Sequence, residues 1–181
     1  IACAPGSAGT PSATVCSVDG GPYVVAGCAV RSSSKLVAAD LAGDDNFGVS
    51  VALSGDTAVV GARYDDDAGT NSGSAYVFAK QPGGSWVQTA KLVAADAEAR
   101  HQFGHAVAVS GDTIVVGMNW AMSMGDVGER IGSAYVFVKQ PDGSWNQESK
   151  LVGTDAGQED MFGTAVAVSG DTAVVGAPTP G

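Results

Sequence analysis

The chain has 181 residues, with 9 basic against 19 acidic side chains and a net charge of −10. That balance argues against nucleic acid and anionic membrane surfaces as partners, since both want a basic face, and it fits an acidic exterior or cation binding. No apolar run approaches the ~20 residues that cross a bilayer, which argues against membrane insertion.

The chain opens at Ile1 rather than Met, which reads as a processed product or a piece of something longer. Residues 1–20 form a Gly/Pro/Ser-rich leader carrying Cys3 and Cys16, and Cys28 follows shortly after. Three cysteines confined to the first 28 residues, and none in the rest, point to a disulfide-stapled segment in an oxidising compartment. Three free thiols are the competing reading. An odd count leaves at least one thiol without an internal partner. Cys3–Cys16 is the expected bridge, since loops of this size contribute roughly 3 kcal/mol when cross-linked. Cys28, after the strand-like YVVAG, is then free or bonded to another chain. Cys16–Cys28 is the alternative pairing.

From residue 35 onward the sequence repeats itself. Lys-Leu recurs at Lys35-Leu36, Lys91-Leu92 and Lys150-Leu151, followed in each case by Asp40, Asp96 or Asp155, then by Phe47, Phe103 or Phe162, and then by Gly55-Asp56, Gly111-Asp112 or Gly170-Asp171. A fixed period of this size means one supersecondary unit built several times. Each copy reads as four short strands. Strand A (VSVALS, HAVAVS, TAVAVS) alternates Val with Ala, so both faces are apolar and the strand is expected to be buried on both sides. A Gly-Asp turn between two apolar runs signals a two-residue hairpin into strand B. Strand C is SAYVFAK or SAYVFVK, and strand D runs from Trp86 to about Leu92 and from Trp145 to about Leu151, with the two Trp covering blade edges. No helical period is sustained. The fold class is all-β, with antiparallel meanders repeated radially as in a β-propeller.

The ends are permuted. GPYVVAG (Gly21 to Gly27) resembles the strand C sequence, so residues 21–34 read as a C–D half unit, 35–90 and 91–149 as whole repeats, and 150–181 as an A–B half unit. Together they make about three four-stranded blades. Three readings stay open: a piece of a larger propeller, a small closed ring, or a polymer in which the terminal half-blades of neighbours complete one sheet.

Phe-Gly, about a dozen residues, then Gly-Ala-Pro resembles the FG-GAP repeat of integrin-α-type propellers. Phe162-Gly163 through Gly176-Ala177-Pro178 carries the full signature, and Phe47-Gly48 to Gly61-Ala62 and Phe103-Gly104 to Gly117-Met118 carry it in part. The resemblance implies an extracellular or cell-surface protein that binds other macromolecules, usually without catalysis. The family's calcium loop between strands A and B is replaced here by Ser-Gly-Asp-Thr, too short to wrap a cation that wants six to eight oxygens.

Several side chains remain as site candidates. Asp65, Asp66, Asp67 and Asn71, with Ser72, form the densest oxygen cluster, a calcium site or a solvated acidic loop. Trp120, Met122 and Met124 form an apolar stretch in the corresponding loop of the next repeat, a contact patch or a loop folded onto its own blade. His101 and His105 flank Phe103-Gly104, where a spacing of four need not converge on a metal, and His105, in the column of Val49 and Thr164, reads as a tolerated substitution. Asp56, Asp112 and Asp171 read as turn formers. Asp40, Asp96 and Asp155 are expected to hold backbone amides. The reading is a non-catalytic extracellular structural or adhesive module, with no cofactor unless calcium, whose partners are copies of itself or other extracellular proteins or glycans. A propeller-type hydrolase or lyase, or a calcium-dependent binding module, is the alternative.

Overall fold

The computed structural model describes residues 34–120, 131–154 and 160–178. All of these but Ser34 and Lys35 belong to one compact unit, Leu36–Gly181. The described residues are all-β. Blade 1 comprises β1 (Phe47–Ser54), β2 (Thr57–Ala62), β3 (Ser74–Lys80) and β4 (Trp86–Leu92). Blade 2 comprises β5 (Phe103–Ser110), β6 (Thr113–Met118), β7 (Ser133–Lys139) and β8 (Trp145–Leu151), and a two-stranded third blade comprises β9 (Ala165–Ser169) and β10 (Thr172–Gly176). Each sheet is an antiparallel meander in sequence order, and the three sheets do not close into a ring. The C–D half unit expected over 21–34 lies, apart from Ser34, outside the described residues, as do Cys3, Cys16 and Cys28.

The hairpins follow from the Gly-Asp dipeptides. Ser54 pairs with Thr57, Ser110 with Thr113 and Ser169 with Thr172, leaving two-residue loops. The first loop residue alone has positive φ (56° at Gly55, 56° at Gly111, 57° at Gly170), the type II′ pattern that matches strand twist. The Asp56 carbonyl accepts from Lys80 N–H at 2.8 Å and the Asp112 carbonyl from Lys139 N–H at 2.9 Å, tying each turn to the end of its strand C.

The Phe-Gly pair does two jobs at once. The Phe anchors its own blade: Phe103 meets Tyr135 edge-on at 5.6 Å and Phe137 at 6.0 Å, and Phe47 meets Tyr76 and Phe78 likewise. The Gly lets the preceding blade approach. A side chain on Gly104 would overlap the carbonyl oxygen of Ser74, and one on Gly163 that of Ser133; from the other side of the seam, one on Gly61 would overlap the carbonyl oxygen of Gly104 and one on Gly117 that of Gly163. The same contact zone is joined by parallel bridges, Gly73 to Phe103 and Gly132 to Phe162.

Each sheet therefore has a front face, turned toward the preceding blade, and a back face, turned toward the next. The back of blade 1 (Val59, Ala75, Val77, Leu92) packs on the front of blade 2 (Phe103, Val107, Ile114, Tyr135) as the main core. Burying each such aliphatic or aromatic side chain stabilises by about 1.5–3 kcal/mol. The front of blade 1 carries a smaller cluster, Ala58, Val60, Tyr76 and Phe78, on which Leu36, Phe47 and Trp86 pack. Blade 3 sits against blade 2 through β9 on β5 and β6.

The expectation that every strand A is buried on both sides holds for β5 alone. Val51 and Leu53 in β1 are 68% and 66% exposed, whereas their counterparts Val107 and Val109 in β5 are 6% and 9% exposed. The strands have the same pattern; burial is set by whether a neighbouring blade covers the face.

Candidate functional site

The repeated Lys and Asp columns meet in space. Lys91, near the end of β4, points its ammonium back over the Tyr76 ring at 5.1 Å. Its Nζ donates to Asp40 Oδ2 at 2.7 Å and Asp65 Oδ2 at 2.9 Å, and to Asp67. Asp40 lies before blade 1 and Lys91 at its end, so the pair clamps the chain entering the blade to the blade's outermost strand. Blade 2 repeats the clamp: Lys150 Nζ donates to Asp96 Oδ2 at 2.6 Å and Tyr135 Oη to Asp96 Oδ1 at 2.9 Å. Asp40 and Asp96 have the expected hydrogen bond from a backbone amide, each its own, and a second kind of partner besides. The described structure gives them a lysine ammonium as partner, and Asp96 also a tyrosine hydroxyl. Asp155 lies outside the described residues.

Asp65 is the hub of the first clamp. It is buried, it accepts from Ser74 Oγ at 2.9 Å and Tyr76 Oη at 2.8 Å, and its backbone carbonyl accepts from Ser72 Oγ. Burial by itself raises a carboxyl pKa, but the hydrogen bonds from Lys91, Tyr76 and Ser74 outweigh it and hold Asp65 below the usual carboxylate range. The Lys91 hydrogen bond likewise lowers Asp40. For Lys91 burial pulls the pKa down, and the hydrogen bonds to Asp40, Asp67, Tyr76 and Asp65 push it up by more. Tyr76 is raised by burial and by its acceptor Asp65.

This arrangement divides the proposed oxygen cluster. Asp65 and Asp67 come together, joined by Asp40, with one ligand atom from each lying within 4.8 Å of the others. Asp66 and Asn71 do not join them; Asp66 Oδ1 accepts from the Asn71 backbone N–H at 2.7 Å and shapes the loop. The space among the three carboxylates is spanned by the Lys91 ammonium, a compact cation carried by the chain itself. Asp40 was not legible as a member because it precedes Asp65 by a whole hairpin.

The histidines take separate partners. His101 is buried, and its Nδ1 accepts from Glu98 N–H at 3.1 Å. His105 Nδ1 lies 3.4 Å from Arg63 Nη1, and burial, then the Arg63 charge, lower its pKa. Trp120 is half-buried, while Met122 and Met124 lie outside the described residues. Trp145 is partly buried against the main core, with Lys139 over its ring, and Trp86 against the front cluster of blade 1, so each covers its blade at the outermost strand.

The blade faces themselves are the other candidate surface. Val51 and Leu53 stand open on the front of blade 1. On the back of the third blade Val174 is 64% exposed, although its counterparts Val59 and Val115 are completely buried. The glycine columns end in the same way: a side chain on Gly48 would meet nothing within 4 Å, and one on Gly176 would meet only Ala165 of its own hairpin, closest at 3.4 Å.

A family model described as FG-GAP repeat matches residues 30–78, 86–137 and 145–180. No curated protein matches the chain.

Proposed function

Since the chain belongs to the FG-GAP repeat family, whose domains are β-propeller-type modules, generally non-catalytic and often extracellular, we propose that it is an extracellular structural or adhesive module that works through its blade faces and associates with copies of itself. The observation that carries this reading is the pair of uncovered faces. Val51 and Leu53 on one side and Val174 on the other are open at positions that are closed at the internal blade interfaces. The two neighbouring side chains on one face, Val51 and Leu53, expose apolar surface of the kind that marks contact sites. Other extracellular proteins and glycans are further partners of the same faces. Nucleic acid is not a partner, for the charge reason given above. No helix among the described residues is long and apolar enough to cross a membrane.

The module works without a resident cation at the B–C loop, because the Lys91 ammonium already lies among Asp40, Asp65 and Asp67 and pairs with each of them, offsetting one of their three charges. The leader of residues 1–20, with its Cys3–Cys16 bridge, belongs to the same proposal, as does Cys28 as a link to a second chain.

Sedimentation velocity of the full chain, from low to high micromolar concentration and with or without calcium, tests the reading. The expected result is a sedimentation coefficient that rises with protein concentration and ignores calcium. A constant monomer value overturns self-association, and a calcium-dependent one overturns the cation-free module.

A further inference from the structure

We propose that copies of this chain dock head to tail, with the back face of the β9–β10 hairpin of one copy laid on the open front face of β1 of the next. The inference rests on the self-association reading and names its polarity and its contacts.

The template is inside the chain. At the interface between blades 2 and 3, the back of β5–β6 presents Ala106, Ala108, Ser110, Thr113, Val115 and Gly117. The back of β9–β10 presents the same six residue types, as Ala165, Ala167, Ser169, Thr172, Val174 and Gly176. β5–β6 meets blade 3 through β9, whose front presents the half-buried Val166 and Val168 after Phe162-Gly163, and β10 continues that face with Ala173, Val175 and Ala177. The front of blade 1 reads Val51, Leu53, Ala58, Val60 and Ala62 after Phe47-Gly48, with one change, Val to Leu. On this front Ala58, Val60 and Ala62 are already buried and Val51 and Leu53 of β1 are open, so laying the open back on β1 rebuilds the contact that β5–β6 makes with β9 inside the chain. The front of blade 2, by contrast, carries Ile114 and Met118 where blades 1 and 3 carry Ala, so the open back face suits blade 1.

The polar contacts follow the same rule. Ser54 Oγ accepts from Gly111 N–H at 3.1 Å across the first interface, and Ser110 Oγ accepts from Gly170 N–H at 3.1 Å across the second. The next members of this ladder are Ser169 and Gly55, both exposed, one at each open face. Docking places the Ser169 hydroxyl at the Gly55 N–H of the neighbour and Gly176 against the Gly48 carbonyl, completing the hydroxyl and glycine columns together. The two surfaces differ, so the contact is heterologous and propagates into a filament unless its rotation closes a ring.

Two single variants of the full chain test the polarity. Leu53→Glu spoils the front face and leaves the back intact; Val174→Glu does the reverse. Both positions are exposed, and circular dichroism verifies the fold; Leu53→Gln and Val174→Gln serve if a charge disturbs the sheet. In sedimentation velocity, at a concentration where the unaltered chain associates, each variant alone is expected to run as a monomer. An equimolar mixture is expected to form dimers and nothing larger, because one intact front meets one intact back. Ser169→Ala is expected to weaken association about fivefold, the worth of one hydrogen bond. If the unaltered chain associates but either variant alone associates equally, or if the mixture stays monomeric, head-to-tail docking is wrong while self-association stands. An unaltered chain that remains monomeric removes both.

Discussion

Blades 1 and 2 are built from nearly the same strands, yet their front faces live in different surroundings. In blade 2 the Val107–Val109 face is sealed by blade 1; in blade 1 the equivalent Val51–Leu53 face is open. Burial in a repeat architecture is therefore a property of the neighbour as much as of the strand, as expected when stability is a sum of repeat terms and interface terms. Substitutions at matched positions then have unmatched costs.

The largest difference is expected at the strand A valines. Val109→Asn puts an amide into the inter-blade core and should cost about 3 kcal/mol in urea unfolding, from lost apolar burial and an unsatisfied polar group. Leu53→Asn, at the matched open position, should stay within about 0.5 kcal/mol, as surface changes do. Equal costs would mean that the two faces are equally covered. The glycines give the next contrast. Gly117→Ala drives a methyl into the Gly163 carbonyl, a backbone obstacle that cannot swing away, and should cost about 2–3 kcal/mol. Gly176→Ala should be near neutral by the same measurement.

The lysine clamps differ in depth. Lys91→Met leaves Asp65 buried without its cation, and about 2 kcal/mol is expected, less than for a fully enclosed pair because the Lys91 side chain is 18% exposed. Lys150→Met removes a partner from Asp96 at a pair that is 39% and 48% exposed, and should cost at most about 1 kcal/mol. The pH dependence carries the same signature. Asp40, Asp65 and Asp96 have lowered pKa values in the folded chain. Their contribution is thus present above about pH 4, the unfolded value, and is lost as the pH falls from there toward the folded values. Lys91 is raised, so its contribution is full below about pH 10 and is lost as the pH rises beyond that. Thermal melts across the acid range should show a shallower loss in Lys91→Met than in the unaltered chain; identical slopes would dissociate the clamp from acid unfolding.

Local chemistry was legible in the sequence. The Gly-Asp hairpins, strands B, C and D and the Phe-Gly-to-Gly-Ala-Pro spacing all rest on neighbours close along the chain, and their bounds match the strands. The Lys91 partner of Asp40 was not legible because it lies on a strand three hairpins later, and no spacing rule connects a carboxylate to an ammonium at that range. Asp65 was legible as an acidic loop residue, but its role as hub needed Ser74, Tyr76 and Lys91 to converge. Strand A failed for a different reason: alternating Val and Ala shows that both faces can be buried, and only the stacking order of blades decides which ones are.

The central claim is that the two open faces are complementary and meet. Backbone amide exchange, followed at low and high protein concentration, tests it most directly. The account predicts that, as concentration rises, protection increases at Gly55 with the β1–β2 turn and along β9–β10, while the buried β5–β6 hairpin is unchanged. Exchange that is independent of concentration at Gly55 and β9–β10, or new protection confined to other segments, would contradict it.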